Sequence, residues 1–166
     1  DFGNWWRVEV SHRVGYVHRD DVDVPFITSD RYFKVAKDKT LVYSKGLTQV
    51  LGELTIGEVY PRVRDYGPNW HELRFGNTFG YVRKADTEPS DGKVLKDKNN
   101  GRFKNSGMTF RAPSDITVFD NKAAKTLTPF AVIKRGISYP ILSDYGDWWR
   151  VDVSGRIGYV RKDHVA

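Results

Sequence analysis

The chain repeats itself, and that fact limits its fold more than any other. Residues 1–22 read DFGNWWRVEVSHRVGYVHRDDV and residues 144–165 read DYGDWWRVDVSGRIGYVRKDHV, identical by direct count at 14 of 22 positions without a gap. Between them lies DYGPNWHELRFGNTFGYVRKAD, residues 65–86, which keeps the Asp-Tyr-Gly start and the Gly-Tyr-Val close with one residue more. The likeness of the later two copies runs further back. GEVYPRVRDYG (57–67) lies over GISYPILSDYG (136–146), and AKDKTLVY (36–43) over APSDITVF (112–119). The unit is therefore roughly 55 to 60 residues, longer than the helical-pair and leucine-rich repeats of about 20 to 47. Each unit should be a small domain. Two are complete, a middle repeat (31–89) and a C-terminal repeat (107–166). Residues 1–24 supply only the last third of another, and 90–106 form a basic, polar linker.

Inside a unit, apolar residues alternate with polar ones, as in Trp149, Val151 and Val153 around Arg150 and Asp152. This is the period of a half-buried strand. Glycines break these runs every 8 to 12 residues or so, the spacing of an all-β sandwich or barrel. Very little helix is expected. Asn121 to Lys125 could make one turn, beyond which Pro129 and the threonines stop it.

The 166 residues hold no cysteine, which excludes disulfides, thiol nucleophiles and cysteine-ligated metal. No apolar run reaches the roughly 18 residues of a membrane-spanning helix. The chain opens on Asp1 without a charged-then-apolar leader, the expectation for a mature or excised segment. Catalysis is not expected: there is no phosphate-binding glycine loop, Gly-x-Ser-x-Gly or His-Glu-x-x-His, nor a recurring carboxylate pair. His12, His18, His71 and His164 fall in turns or on outward strand positions, without metal-ligand spacing. The recurring Asp1, Asp65 and Asp144 are explained by turn chemistry before Tyr/Phe-Gly. Neither a metal nor a cofactor is expected.

The strand order, with Thr40-Leu41-Val42-Tyr43, Leu54 to Val59, Asp65-Tyr66-Gly67, Trp70 and Gly80-Tyr81-Val82, resembles the bacterial SH3-like (SH3b) domains. The C-terminal repeat matches through Ile116 to Phe119, Ile133 to Gly136, Tyr145 to Trp149 and Gly158-Tyr159-Val160. The resemblance implies tandem small SH3-like β-barrels. It also implies a role in secreted or surface proteins, appended to cell-wall enzymes and binding peptidoglycan or an associated wall polymer outside the cell.

Alternation across a strand lets only one of each tryptophan pair point inward. The in-phase valines make Trp6 and Trp149 the core members, and Trp5 and Trp148 then face out as flat surfaces for a sugar ring or peptide. Trp70 is read in register with Trp149, which puts Asn69 in the place of Trp148, His71 in that of Arg150, and makes the middle repeat a weak binder or spacer. Tyr66 and Tyr145, beside Gly67 and Gly146, are groove candidates. Arg150 and Arg156 are candidates to pair with ligand carboxylates or phosphates. Tyr16, Tyr81 and Tyr159 are read as closing the barrel.

The net charge of +6 is uneven. Residues 1–30 carry −3, and each complete repeat and the linker +3 by count. In the linker, Lys93, Lys96, Lys98, Arg102 and Lys104 surround Asn99-Asn100-Gly101; Val94-Leu95 and Phe103 could alternatively frame a hairpin. Basicity favours polyanionic partners. Two rival functions stand beside wall binding. One is an extended-peptide module; the other is nucleic-acid binding, disfavoured because no Lys/Arg stripe recurs in the repeats. Finally, residues 1–24 leave strand edges exposed, so self-association through this incomplete repeat, or packing on the middle repeat, is expected.

Overall fold

A computed structural model describes residues 31–93, 98–99, 102–120 and 127–165, and the backbone of 5–10 and 13–18. The candidate helical turn at Asn121 to Lys125 lies outside these residues. The described chain is all-β, its helix confined to single 3-10 turns at Lys45–Leu47, Lys84–Asp86 and Lys162–His164.

Near the N-terminus lies a hairpin of β1 (Trp5–Val10) and β2 (Arg13–His18), with Trp5 opposite His18 and Trp6 opposite Val17. The middle repeat contributes β3 (Tyr32–Val35), β4 (Thr40–Tyr43), β5 (Val50–Leu54), β6 (Val59–Pro61), β7 (Arg64–Tyr66), β8 (Trp70–Phe75), β9 (Thr78–Arg83) and β10 (Thr87–Ser90). The C-terminal repeat contributes β11 (Thr109–Arg111), β12 (Ile116–Phe119), β13 (Pro129–Ile133), β14 (Ser138–Pro140), β15 (Ser143–Tyr145), β16 (Trp148–Val153) and β17 (Arg156–Arg161).

Each repeat lays its strands down in the same order. β5-β4-β9-β8-β7 in one is matched by β13-β12-β17-β16-β15 in the other, and β3 with β6 is matched by β11 with β14. The Gly of Gly-Tyr-Val recurs for a packing reason. A Cβ at Gly80 would lie 2.5 Å from Val42 Cγ1, and one at Gly158 2.3 Å from Val118 Cγ1, two valines at equivalent places on β4 and β12.

The sheet does not stop at the repeat boundary. β5 pairs antiparallel with β13, Gly52 opposite Ile133, Glu53 opposite Val132 and Leu54 opposite Ala131. β8 pairs with β16 where Phe75 faces Val153. Eight strands, four from each repeat, thereby close into one ring, with β7 and β15 on its outside. Both ladders join equivalent strands, Glu53 to Val132 and Phe75 to Val153, so the two repeats are related by a local two-fold axis. The core is continuous as well. Phe33, Val42, Leu54, Tyr60, Leu73 and Phe75 belong to the same buried cluster as Phe110, Val118, Phe130, Ile133, Tyr139 and Val151. Phe75 meets Tyr139 edge-on at 5.2 Å, Tyr60 lies 6.2 Å from Phe130, and the Tyr60 hydroxyl donates to the Phe130 carbonyl. A 60-residue unit buries only about 60% of its unfolded surface alone. Sharing a core is the physical remedy.

Candidate ligand grooves

In the C-terminal repeat a tight turn at Gly146 (φ +65°) folds β15 back on β16, which puts Tyr145 opposite Trp148 and Ser143 opposite Arg150. Phe119 of β12 meets Trp148 edge-on, at 5.9 Å and 89°, and the Arg161 guanidinium of β17 lies 5.4 Å from the Trp148 ring. Tyr145 is 37% exposed, and Tyr159 stands 6.3 Å from it. Arg150 runs through this aromatic group, its guanidinium 3.9 Å from Tyr145, 4.5 Å from Phe103 and 5.8 Å from Tyr159. The result is a shallow aromatic surface with a cation at its floor, suited to stacking a sugar ring or a planar amide.

The middle repeat builds the same surface. Tyr66 is opposite Trp70, Tyr43 meets Trp70 edge-on at 5.6 Å and 90°, and Arg83 lies 5.4 Å from the Trp70 ring. Tyr66 is 36% exposed and 4.3 Å from Tyr81, which is buried. At the floor the chemistry differs, since Glu72 occupies the place of Arg150. Its carboxylate accepts from Arg64 Nε at 2.8 Å and from the Tyr81 hydroxyl at 3.0 Å. Burial, and then this bond to Glu72, push the Tyr81 phenol up to about 12.

These pairings correct the sequence register. Trp70 is the counterpart of Trp148, not of Trp149, and stands half-buried beside Tyr66; Trp149, expected in the core, is itself only half-buried and packs against the core's edge. The extra residue is absorbed in the turn. Lys84 N donates to Asn69 O at 2.9 Å just as Lys162 N donates to Asp147 O at 2.9 Å, which leaves Pro68 as the insertion. Asn69 is thus a turn residue, and the counterpart of Arg150 is Glu72 rather than His71. The middle repeat consequently keeps the full aromatic cluster of Tyr43, Tyr66, Trp70 and Tyr81.

His71 falls where the C-terminal repeat has Trp149, and it is fully buried instead of facing outward. It stacks on Phe33 at 4.9 Å and 10°, as Trp149 stacks on Phe110 at 5.6 Å and 17°. Its Nε2 lies 2.9 Å from Thr87 Oγ1. Burial, reinforced by the nearby Arg62 and Lys84 cations, lowers its pKa to about 3, so the ring is neutral at ordinary pH. The recurring aspartates also have a tertiary reason beyond turn chemistry. Asp65 accepts from Lys84 Nζ at 2.7 Å, and Asp144 from Lys162 Nζ at 2.7 Å, tying each turn to the segment after Gly-Tyr-Val-Arg. The Lys84 bond also holds the Asp65 carboxyl below the usual carboxylate range.

Arg156, a candidate ligand contact, is 2% exposed and lies between the repeats. Its Nη1 donates to the Val59 carbonyl at 3.0 Å, its Nη2 to Glu58 at 3.4 Å, and its guanidinium sits 4.2 Å from the Phe130 ring and 5.1 Å from Tyr60. It is a joint between repeats and not a groove residue, because β17 begins at the inter-repeat edge while the groove lies at its other end. Tyr145, Trp148 and Arg150 do come together, and Tyr66 heads the second groove. The side chain of Trp5 lies outside the described residues, although its backbone register against His18 is that of Trp148 against Arg161. Sequence reasoning missed Tyr43, Phe119, Arg83 and Arg161. Their recurrence at matched positions of the two copies was the available signal.

Within 90–106, Lys98 Nζ donates to Tyr32 Oη at 2.8 Å, and the buried Asn99 side chain donates to Asp152 and to the Phe103 carbonyl and accepts from Phe103 N. These bonds place Phe103 against Arg150. Among the described residues, no three His, Cys, Asp or Glu side chains gather as a metal site, and no helix is long and apolar enough to cross a membrane.

No family model and no curated protein matches the chain. Among solved structures it is similar to NlpC2 of Trichomonas vaginalis, at 12% identity and a TM-score of 0.31 over 82% of this chain and 48% of that one. It is similar also to NlpC1 of the same organism, at 14% identity and a TM-score of 0.31 over 83% and 46% respectively. The chain spans about half the length of these proteins.

Proposed function

We propose that this chain is a non-catalytic binding region of an exported bacterial protein, built of SH3-like units, that holds its parent to cell-wall peptidoglycan or an associated wall polymer. The observation that carries the reading is the aromatic groove made twice from matched residues: Tyr43, Tyr66, Trp70 and Arg83 in one repeat, Phe119, Tyr145, Trp148 and Arg161 in the other. Folding needs a barrel core, but it does not need a half-exposed Tyr beside a half-exposed Trp at the same corner of both copies. Rigid aromatic faces of this kind are typical anchors for binding. Two weak grooves on one body also make the second contact effectively intramolecular, so an array can hold a polymer that neither groove holds alone.

Sedimentation of the purified chain with purified cell walls tests the proposal. Trp70→Ala and Trp148→Ala should each weaken retention roughly tenfold, and the double variant should abolish it. Retention unchanged in a folded double variant would show that the grooves are not the binding surface.

A further inference from the structure

Four of the described arginines are buried or half-buried: Arg62, Arg150, Arg156 and Arg161. Three of them have a carboxylate, Arg62 from Asp65, Arg156 from Glu58 and Arg161 from Asp163. Arg150 has none among the described residues. To the described residues its side chain donates one hydrogen bond, from Nη1 to the neutral Ser143 hydroxyl at 3.2 Å; its Nε is buried with no described partner, and its guanidinium lies against the Phe103, Tyr145 and Tyr159 rings. The middle repeat shows how such a floor is neutralised. There the cross-strand pair is Arg64 with Glu72, an acid with its base, while in the C-terminal repeat the same two positions hold Ser143 and Arg150. A partly desolvated guanidinium costs free energy unless an anion meets it. Its fork of N–H donors in an aromatic setting matches a carboxylate or phosphate edge-on.

We infer that Arg150 is an oxyanion subsite confined to the C-terminal groove, taking a ligand carboxylate or phosphate, while the self-neutralised middle groove takes uncharged ligand surface. The inference rests on the reading of the two corners as binding grooves. It adds that the pair is not equivalent: one recognises charge, the other only shape and stacking. The order of the repeats would then orient the chain on a polymer whose charged and neutral groups alternate.

Titration of the ¹⁵N-labelled full chain tests this by NMR, with the indole N–H signals assigned through Trp70→Phe and Trp148→Phe. The probes are N-acetylmuramic acid for a sugar carboxylate, glycerol phosphate for a phosphate, and N-acetylglucosamine for a neutral sugar. At least one anion should shift the Trp148 indole and the Arg150 Nε–H without moving Trp70, and the response should weaken as salt rises. Which anion acts tells a carboxylate source from a phosphate source. Arg150→Gln should lower the anion affinity roughly tenfold or more and leave the N-acetylglucosamine response in place, and Arg150→Lys should keep part of it. Equal shifts at both indoles, no anion response, or an Arg150→Gln chain that binds anions like the parent would overturn the inference. The salt dependence of the unsubstituted chain decides the matter even if a variant fails to fold. Anion selectivity without sedimentation on walls would sink the wall reading alone, and wall retention without selectivity would sink this inference alone.

Discussion

At the scale of single residues, His71 shows how a repeat can drift without losing its shape. A ring is needed to stack on Phe33, and imidazole supplies one in place of the indole of Trp149. The exchange carries a pH consequence. In the folded chain the pKa is lowered to about 3, against an ordinary value of 6.5. Between those limits the unfolded chain binds the proton more readily, so stability rises with pH across the window and is lost as pH falls from about 6.5 toward 3. The loss from this group should be on the order of 3 kcal/mol by pH 4. Asp65, whose pKa is lowered from 3.8, adds a loss of the same sign only below that value. Urea unfolding of His71→Phe between pH 7 and 4 should therefore give a flatter stability profile than the parent; an unchanged slope would exclude His71 as its source. The sequence showed this histidine and its spacing, but not its burial, which a one-residue shift of register conceals.

At the scale of elements, that shift lies in the β7–β8 turn. Tyr66-Gly67-Pro68-Asn69-Trp70 and Tyr145-Gly146-Asp147-Trp148 begin alike, with Gly67 at φ +64° and Gly146 at +65°. They end alike, on the same backbone bond from Lys84 and from Lys162. Pro68 is the surplus residue. Removing it should shorten the middle turn to the C-terminal form and leave the Tyr66 to Trp70 register intact, at a cost within about 1 kcal/mol. Denaturant midpoints and the Trp70 indole chemical shift check this; loss of the folded spectrum would mean the longer turn is required. Strand existence was legible here because alternation and glycine punctuation are local. Pairing was not: aligning the two Trp-bearing segments from their Asp-Tyr-Gly start puts Trp70 over Trp149, whereas counting back from Gly-Tyr-Val puts it over Trp148, and the cross-strand partners Tyr66 and Tyr145 decide for the second.

At the scale of the whole molecule, the two complete repeats form one body through β5 with β13 and β8 with β16. The contact is close enough to leave no room for a methyl group. A Cβ at Gly52 would lie 2.3 Å from the Val132 carbonyl oxygen and 2.4 Å from Phe75 Cζ. Gly52→Ala should thus destabilise both repeats together, by about 3 kcal/mol or roughly 10 °C in Tm. The parent and the variant should each unfold in a single calorimetric transition. Two resolved transitions would show instead that the repeats fold independently and that the shared ring contributes little.

The order of residues alone carries the repeat and its approximate length, the all-β character, and the aromatic corner at Tyr66 and at Tyr145 with Trp148. Each of these is written in local spacing, and local spacing is what a strand or a turn responds to. That two repeats close one ring, that Arg156 is a buried joint while Arg150 stays among the corner aromatics, and that Trp70 belongs with Trp148 follow from how the chain packs. Those outcomes depend on which edges meet and which charges find partners. Arg150 and Arg156 sit six residues apart in strands of the same hairpin and look alike as sequence; a carboxylate brought in from the other repeat separates them.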